Sequence, residues 1–176
     1  MLEIVEETKP IPDTNKLKTF EFARRAPGVR AIIIRNNKIA LSKEYRYEIG
    51  KYDYRLPGGK VFDSLEEYKR HLNEDLLPYA EAAVINECKQ EVGFKIKNPK
   101  LIHISNGGGS IVWDLYFFEI KDFEKCKTNL EEGELVSGIE WRSIDEIKKL
   151  AIANQMSEDR SLGVLFRYFS AKEKYD

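Results

Sequence analysis

No apolar run in this chain approaches the roughly 20 residues that a membrane-spanning helix needs. Its first residues, MLEIVEETKPIPD, offer neither the basic start nor the apolar segment of a secretory signal. Charge of one sign is also lacking. Against 29 Lys and Arg stand 30 Asp and Glu, a formal net charge of −1, so no general field draws in nucleic acid or an anionic membrane. Cysteine is scarce: Cys88 and Cys126 lie in unrelated contexts without CxxC spacing, and Cys88 reads as a small core residue. The two histidines, His71 and His103, have no metal-ligand spacing and read as structural or surface residues. Repeats, low-complexity tracts, a basic region and a DNA-binding helix-turn-helix are all absent. These absences leave a cytoplasmic protein as the default, and one whose anionic ligand, if it has one, is gripped locally.

What is present fits one globular domain with a short arm. The chain has 176 residues, 42% hydrophobic and 34% charged. Residues 1–18, with Pro10 and Pro12, read as a loose or extended arm, and 19–176 as a single domain. Alternation in TFEFARR (19–25), the β-rich VRAIII (29–34), an Asn36-Asn37 turn and KIALSKEYRY predict strands and a hairpin. YDYRL (52–56) is a further short strand, closed by Pro57-Gly58-Gly59. A helix-prone segment over 63–78 follows an Asp63/Ser64 cap signal, and a main helix opens at Pro78 and stops at Gly93. Beyond it, IVWDLYFFEI (111–120) reads as one strong strand, 122–136 as an acidic and mostly irregular loop, and SGIEWRS (137–143) as a strand. A short helix capped by Ser143 and an amphipathic helix bearing Leu162, Val164, Leu165, Phe166 and Phe169 complete the chain. The order predicts an α/β (α+β) fold: a mixed sheet sandwiched between helices.

The segment RLPGGKV, a polar stretch, then EAAVINECKQEVGF carries the chemistry. Glu87 and Glu91 are one turn apart on one face of the main helix. Like charges at that spacing cost roughly 0.2–0.5 kcal/mol, and the helix dipole disfavours anions in the last turns. Two such penalties on one helix suit a cation held between the carboxylates, and hard Mg²⁺, with Mn²⁺ as the alternative, is the natural choice.

This segment resembles the Nudix box, G-x5-E-x7-R-E-U-x-E-E-x-G-U, with U an aliphatic residue, taken here as a loose apolar position. Gly59, Glu87, Cys88, Glu91, Gly93 and Phe94 match it. Asn86 stands for the pattern's arginine, Gln90 for the first glutamate of its pair, and Pro78 for its early glutamate. About 13 extra residues, at about 62–78, lengthen the box loop. The flanks KIALSKEYRYEIGKYDYRLPGGKV, ISNGGGS, LEEGELVSGIEWRSIDEIKKL and NQMSEDRSLGVLFRYF resemble the ADP-ribose pyrophosphatase branch over roughly residues 19–170. The resemblance implies a Nudix hydrolase that cleaves the pyrophosphate of a nucleoside diphosphate sugar, most simply ADP-ribose, to AMP and ribose 5-phosphate. It places the metal at Gly58, Glu87, Glu91 and Gln90, the last offering a carbonyl oxygen without charge. The catalytic base falls in the acidic loop, at Glu132 or Glu134, with Glu91 also counted catalytic. Arg46 matches a diphosphate-contacting arginine, and Arg24 and Arg25 are candidates for the terminal ribose or phosphate. Trp113 and Trp141 read as core. A homodimer with exchanged N-terminal arms is the implied assembly. Two other readings stay open: a catalytically weak Nudix domain that binds a nucleotide for regulation, and a Nudix enzyme of another nucleotide class.

Overall fold

The computed structural model describes residues 2–128 and 136–172. Its strands are β1 (Leu2–Pro10), β2 (Leu17–Arg25), β3 (Gly28–Arg35), β4 (Lys38–Arg46), β5 (Lys51–Arg55), β6 (Phe94–Lys97), β7 (Lys100–Ser105), β8 (Ile111–Val112), β9 (Leu115–Ile120), β10 (Asp122–Lys125) and β11 (Val136–Arg142). Among the described residues four helices are interleaved: α1 (Leu65–Arg70), α2 (Leu77–Gln90), α3 (Ile144–Ile152) and α4 (Asp159–Lys172).

Period-two alternation sorts the central strands onto two faces. From β3, Ala31 and Ile33 enter one core while Ile32 enters the other. From β9, Tyr116, Phe118 and Ile120 join the first, and Leu115 and Phe117 the second. Helix α2 covers the first face with Ala80, Val84 and Cys88, and α3 and α4 cover the second with Ile147, Leu162, Val164 and Leu165. The central sheet runs β11-β4-β3-β9-β7, with β5 also paired to β4, and its one parallel pair is β3–β9. This is the mixed sheet between helices that the order of elements predicts.

Strands β3 and β4 pair only beside their turn, at Ile34–Ile39 and Arg35–Lys38. Asn36 and Asn37, with φ of 50° and 57°, supply the left-handed turn. Further on the two strands part. β5 takes the free edge of β4 from Ser42 to Arg46, and Pro57–Val61 takes the edge of β3. Ala31 N–H donates to the Pro57 carbonyl, Val29 N–H to Gly59, and Val61 N–H to Pro27, at 2.8, 2.9 and 3.0 Å. The wedge between the parting strands is where the cleft forms.

Two local expectations need correction, and a third is narrowed. Of the loose or extended readings of the arm, the extended one holds: β1 pairs with β2 along its whole length, from Leu2–Arg25 to Pro10–Leu17. The run 111–120 is two strands. Ile111 and Val112 pair with β2, whereas Leu115–Ile120 pair with β3; since β2 and β3 lie in different sheets, the chain must cross at Trp113-Asp114. The start of the acidic loop is ordered as β10, which pairs with β6 from Asp122–Lys97 to Lys125–Phe94.

The extra segment folds as its own layer. Ser64 caps α1 by accepting from Glu67 N–H at 3.0 Å. Phe62, Leu65 and Tyr68 are buried together against Ala26, Val61, Leu76 and Tyr79. His71 stacks on Phe62, with ring centres 5.3 Å apart, and meets Glu74 at 3.0 Å. Lys69 and Arg24 share Glu3, at 2.8 and 3.0 Å, which ties this layer to the β1–β2 hairpin.

Candidate active site

Helix α2 delivers its carboxylates to the Pro57–Val61 segment. It ends at Gln90, Glu91 is its C-cap, and Gly93 turns the chain away with φ of 66°. Glu91 accepts the Gly58 N–H at 3.0 Å. The Glu87 carboxylate lies where a β-carbon on Gly59 would stand, well under 3.0 Å from it. Gly58, with φ of 149°, passes so close to β3 that a β-carbon would fall 2.9 Å from the Val29 carbonyl carbon and 3.0 Å from Arg30 Cα. One glycine is therefore required by the backbone behind it and the next by the carboxylate in front. Cys88, between the two glutamates, is fully buried; burial pushes its thiol pKa up, and the charges of Glu91 and Glu87 push the same way.

The cleft above this junction holds about 730 Å³ and is walled by the end of β2, the start of β3, the end of β4, Gly58–Lys60, Glu91, Trp113 and Ser157–Glu158. Its floor is an ion-pair network. Arg30 donates to both oxygens of Glu158, Nε to Oε2 at 2.9 Å and Nη2 to Oε1 at 2.7 Å. Arg55 Nη1 lies 3.5 Å from the same carboxylate, and Arg55 Nε lies 2.6 Å from Asp53, as an ion pair without hydrogen-bond alignment. Asp53 in turn accepts from the Ser157 N–H and hydroxyl, both at 3.0 Å. Burial alone would raise the Glu158 pKa. The Arg30 hydrogen bond and charge, the Ser161 hydroxyl and Arg55 outweigh it and hold the group at about 2. Burial likewise pulls the Arg30 guanidinium down, and Glu158 more than offsets that pull.

Of the residues expected from sequence, Gly58, Glu91, Arg25 and Arg46 line one cleft, and Glu87 packs against its Gly59 wall. Gln90 ends α2 half-buried, and neither it nor Arg24 is among the lining residues. Arg24 is instead paired with Glu3 across the hairpin. Arg46 is paired with Glu48 at 2.7 Å and Glu44 at 3.6 Å. Glu132 and Glu134 lie outside the described residues. Among the described residues no three His, Cys, Asp or Glu side chains converge as a cation site. Glu87 and Glu91 would need oxygens from backbone or ligand to complete one.

Sequence reading missed Arg30, Arg55 and Glu158, and it missed that Trp113, which packs against the second core as expected, also lines the cleft. A signal existed for Arg30, the one charge inside VRAIII: a cation in an otherwise apolar strand must find a buried partner. Nothing in the sequence says that the partner stands 128 residues away.

No protein-family description matches this chain, and no curated protein matches it either. Its fold does match solved structures. The structure of an ADP compounds hydrolase superposes with a TM-score of 0.69 at 16% identity, over 98% of this chain and 88% of that one. A MutT NUDIX hydrolase from Burkholderia pseudomallei aligns over 69% of this chain and 84% of its own, at 24% identity and a TM-score of 0.46.

Proposed function

We propose that this chain is a divalent-cation-dependent hydrolase of the pyrophosphate bond in a nucleoside diphosphate sugar, with ADP-ribose giving AMP and ribose 5-phosphate. The observation that carries this reading is the junction of Glu87 and Glu91 with Gly58-Gly59 at the wall of a cleft large enough for a nucleotide. The donor set suits Mg²⁺, or Mn²⁺ in its place: two hard carboxylates and the Gly58 carbonyl, with substrate phosphates filling the rest. When bound, such a cation would polarise a phosphoryl oxygen and lower the pKa of a water. The protein's own task is mostly positioning and charge. Glu91, fixed by the Gly58 N–H, and Glu87, seated against Gly59, are preset. Glu132 or Glu134 supplies the base that takes the proton of the attacking water as the bridging P–O bond breaks.

The ADP compounds hydrolase shares this architecture, which supports a nucleotide substrate. The β1–β2 hairpin exposes Leu2, Ile4, Leu17 and Phe20, which supports the homodimer reading. Asn86 and Gln90, neutral where the box carries charge, favour a second reading, a nucleotide-binding domain of low turnover.

The experiment is phosphate release from ADP-ribose with Mg²⁺, coupled to a phosphatase, within a panel of nucleotide sugars, nucleoside triphosphates and dinucleoside polyphosphates. Turnover on the sugars that is lost in Glu91→Gln supports the proposal. Unchanged turnover in that variant removes the metal assignment, and thermal stabilisation by ligand without any product favours the second reading.

A further inference from the structure

Among the described residues five cationic side chains line the cleft, and three of them are already committed. Arg30 and Arg55 share Glu158, and Arg46 is held between Glu44 and Glu48. The remaining two, Arg25 and Lys60, have no carboxylate partner among the described residues. Both are exposed at the wall, and the backbone brings their segments side by side: Gly28 bridges Lys60, and Pro27 accepts the Val61 N–H at 3.0 Å.

Arg25 is also preset. Its guanidinium carbon lies over the Trp113 ring, 4.4 Å from the centroid. A guanidinium on an aromatic face keeps the N–H groups around its rim available, and loses little freedom when they bind. Trp113 is itself held, its carbonyl accepting from Arg160 Nη2 at 2.9 Å, with the Arg160 guanidinium carbon 4.9 Å from its ring centroid. We propose that Arg25 and Lys60 are the anion grip of the cleft, binding a ligand phosphate, with Trp113 as the positioning residue for Arg25. Arg46, by contrast, stays with its two glutamates.

The proposal deepens the hydrolase reading by assigning Lys60, and it can be tested without turnover. Inorganic pyrophosphate serves as the probe, in calorimetric titrations at low salt with and without Mg²⁺. Lys60→Gln and Arg25→Gln should each weaken binding by about tenfold or more, as loss of a charged hydrogen bond implies. Lys95→Met, which removes an exposed charge on β6 away from the cleft, should leave binding within about twofold; a loss equal to that of Lys60→Gln would reduce the effect to net charge and overturn the proposal. Trp113→Leu should weaken binding in the wild-type background and add little once Arg25 is Gln, an effect that simple loss of packing would not produce. Melting temperatures near wild type confirm that each variant is folded. If nothing in the substrate panel is cleaved yet Lys60→Gln still loses pyrophosphate, the hydrolase reading falls and the grip stands. If Glu91→Gln abolishes turnover while the Lys60 and Arg25 variants keep pyrophosphate affinity and KM, the grip falls and the hydrolase reading stands.

Discussion

The carboxylate of Glu87 stands in the space that a side chain on Gly59 would fill. The next glycine back, Gly58, has no such flexible neighbour: its missing side chain is replaced by the backbone of Val29 and Arg30. The same residue type thus does two jobs in adjacent positions, and substitution separates them.

Gly59→Ala should fold and lose function. What meets the new methyl is the end of a glutamate side chain, which can rotate away, so the melting temperature should stay within a few degrees of wild type. Glu87 then no longer sits where the loop presents it, and divalent-cation affinity or turnover should fall about 10- to 100-fold, as for displaced metal-site partners. Titration of Mn²⁺ into both proteins checks this. Equal affinities would show that Glu87 need not be fixed by Gly59.

Gly58→Ala should fail at an earlier stage. A β-carbon there meets backbone atoms and demands φ of 149° from an alanine, so β3 and the Pro57–Val61 segment must move apart. A cost of roughly 2–4 kcal/mol is expected from strain and overpacking. Urea denaturation measures it. A loss below that of Gly59→Ala would contradict the close approach.

Glu158 gives the fold a pH signature. Its folded pKa, about 2, lies below the ordinary 4.5, so the unfolded chain takes up its proton first as pH falls. The contribution is therefore complete above about pH 4.5 and is lost as pH drops towards 2. The size of the shift corresponds to on the order of 3 kcal/mol. Glu158→Gln leaves Arg30 and Arg55 without their shared carboxylate, and at neutral pH should cost about 3–5 kcal/mol, the range for breaking a buried pair. The gap between wild type and variant should narrow as pH falls from 4.5. A gap that stays constant across that window would assign the stability to shape rather than to charge.

What was legible in the sequence was whatever depends on neighbours along the chain. Asn36-Asn37 set its hairpin, Ser64 and Ser143 cap their helices, and alternation in VRAIII and LYFFEI places side chains on two faces. The pairing of Glu87 and Glu91 with Gly58-Gly59 was legible because a helical repeat and a known motif both point to it. What was not legible depends on which strand sits beside which. The run 111–120 looks continuous because both halves favour strand, and only the separation of β2 from β3 breaks it. The Arg30–Glu158 pair and the Arg25–Trp113 contact join residues far apart in the chain. Arg46 lines the cleft, as a phosphate ligand would; that Glu44 and Glu48, its neighbours in sequence, pair with it appears only in the fold.

Gln90→Glu tests whether the last turn of α2 faces a bound cation. Position 90 is three residues from Glu87 and beside Glu91, so a third carboxylate adds like-charge repulsion of roughly 0.2–0.5 kcal/mol when no cation is present. The apo variant should therefore melt slightly below wild type. If a cation binds there, the added charge raises its affinity, and a tenfold gain would add about 1.4 kcal/mol of stabilisation at saturating metal. The order of melting temperatures should then reverse on adding Mg²⁺ or Mn²⁺. Differential scanning calorimetry with and without the ion reads both halves of this expectation. A variant that melts lower than wild type in both conditions, by the same margin, would place the cation away from this turn and leave Gln90 without a part in holding it.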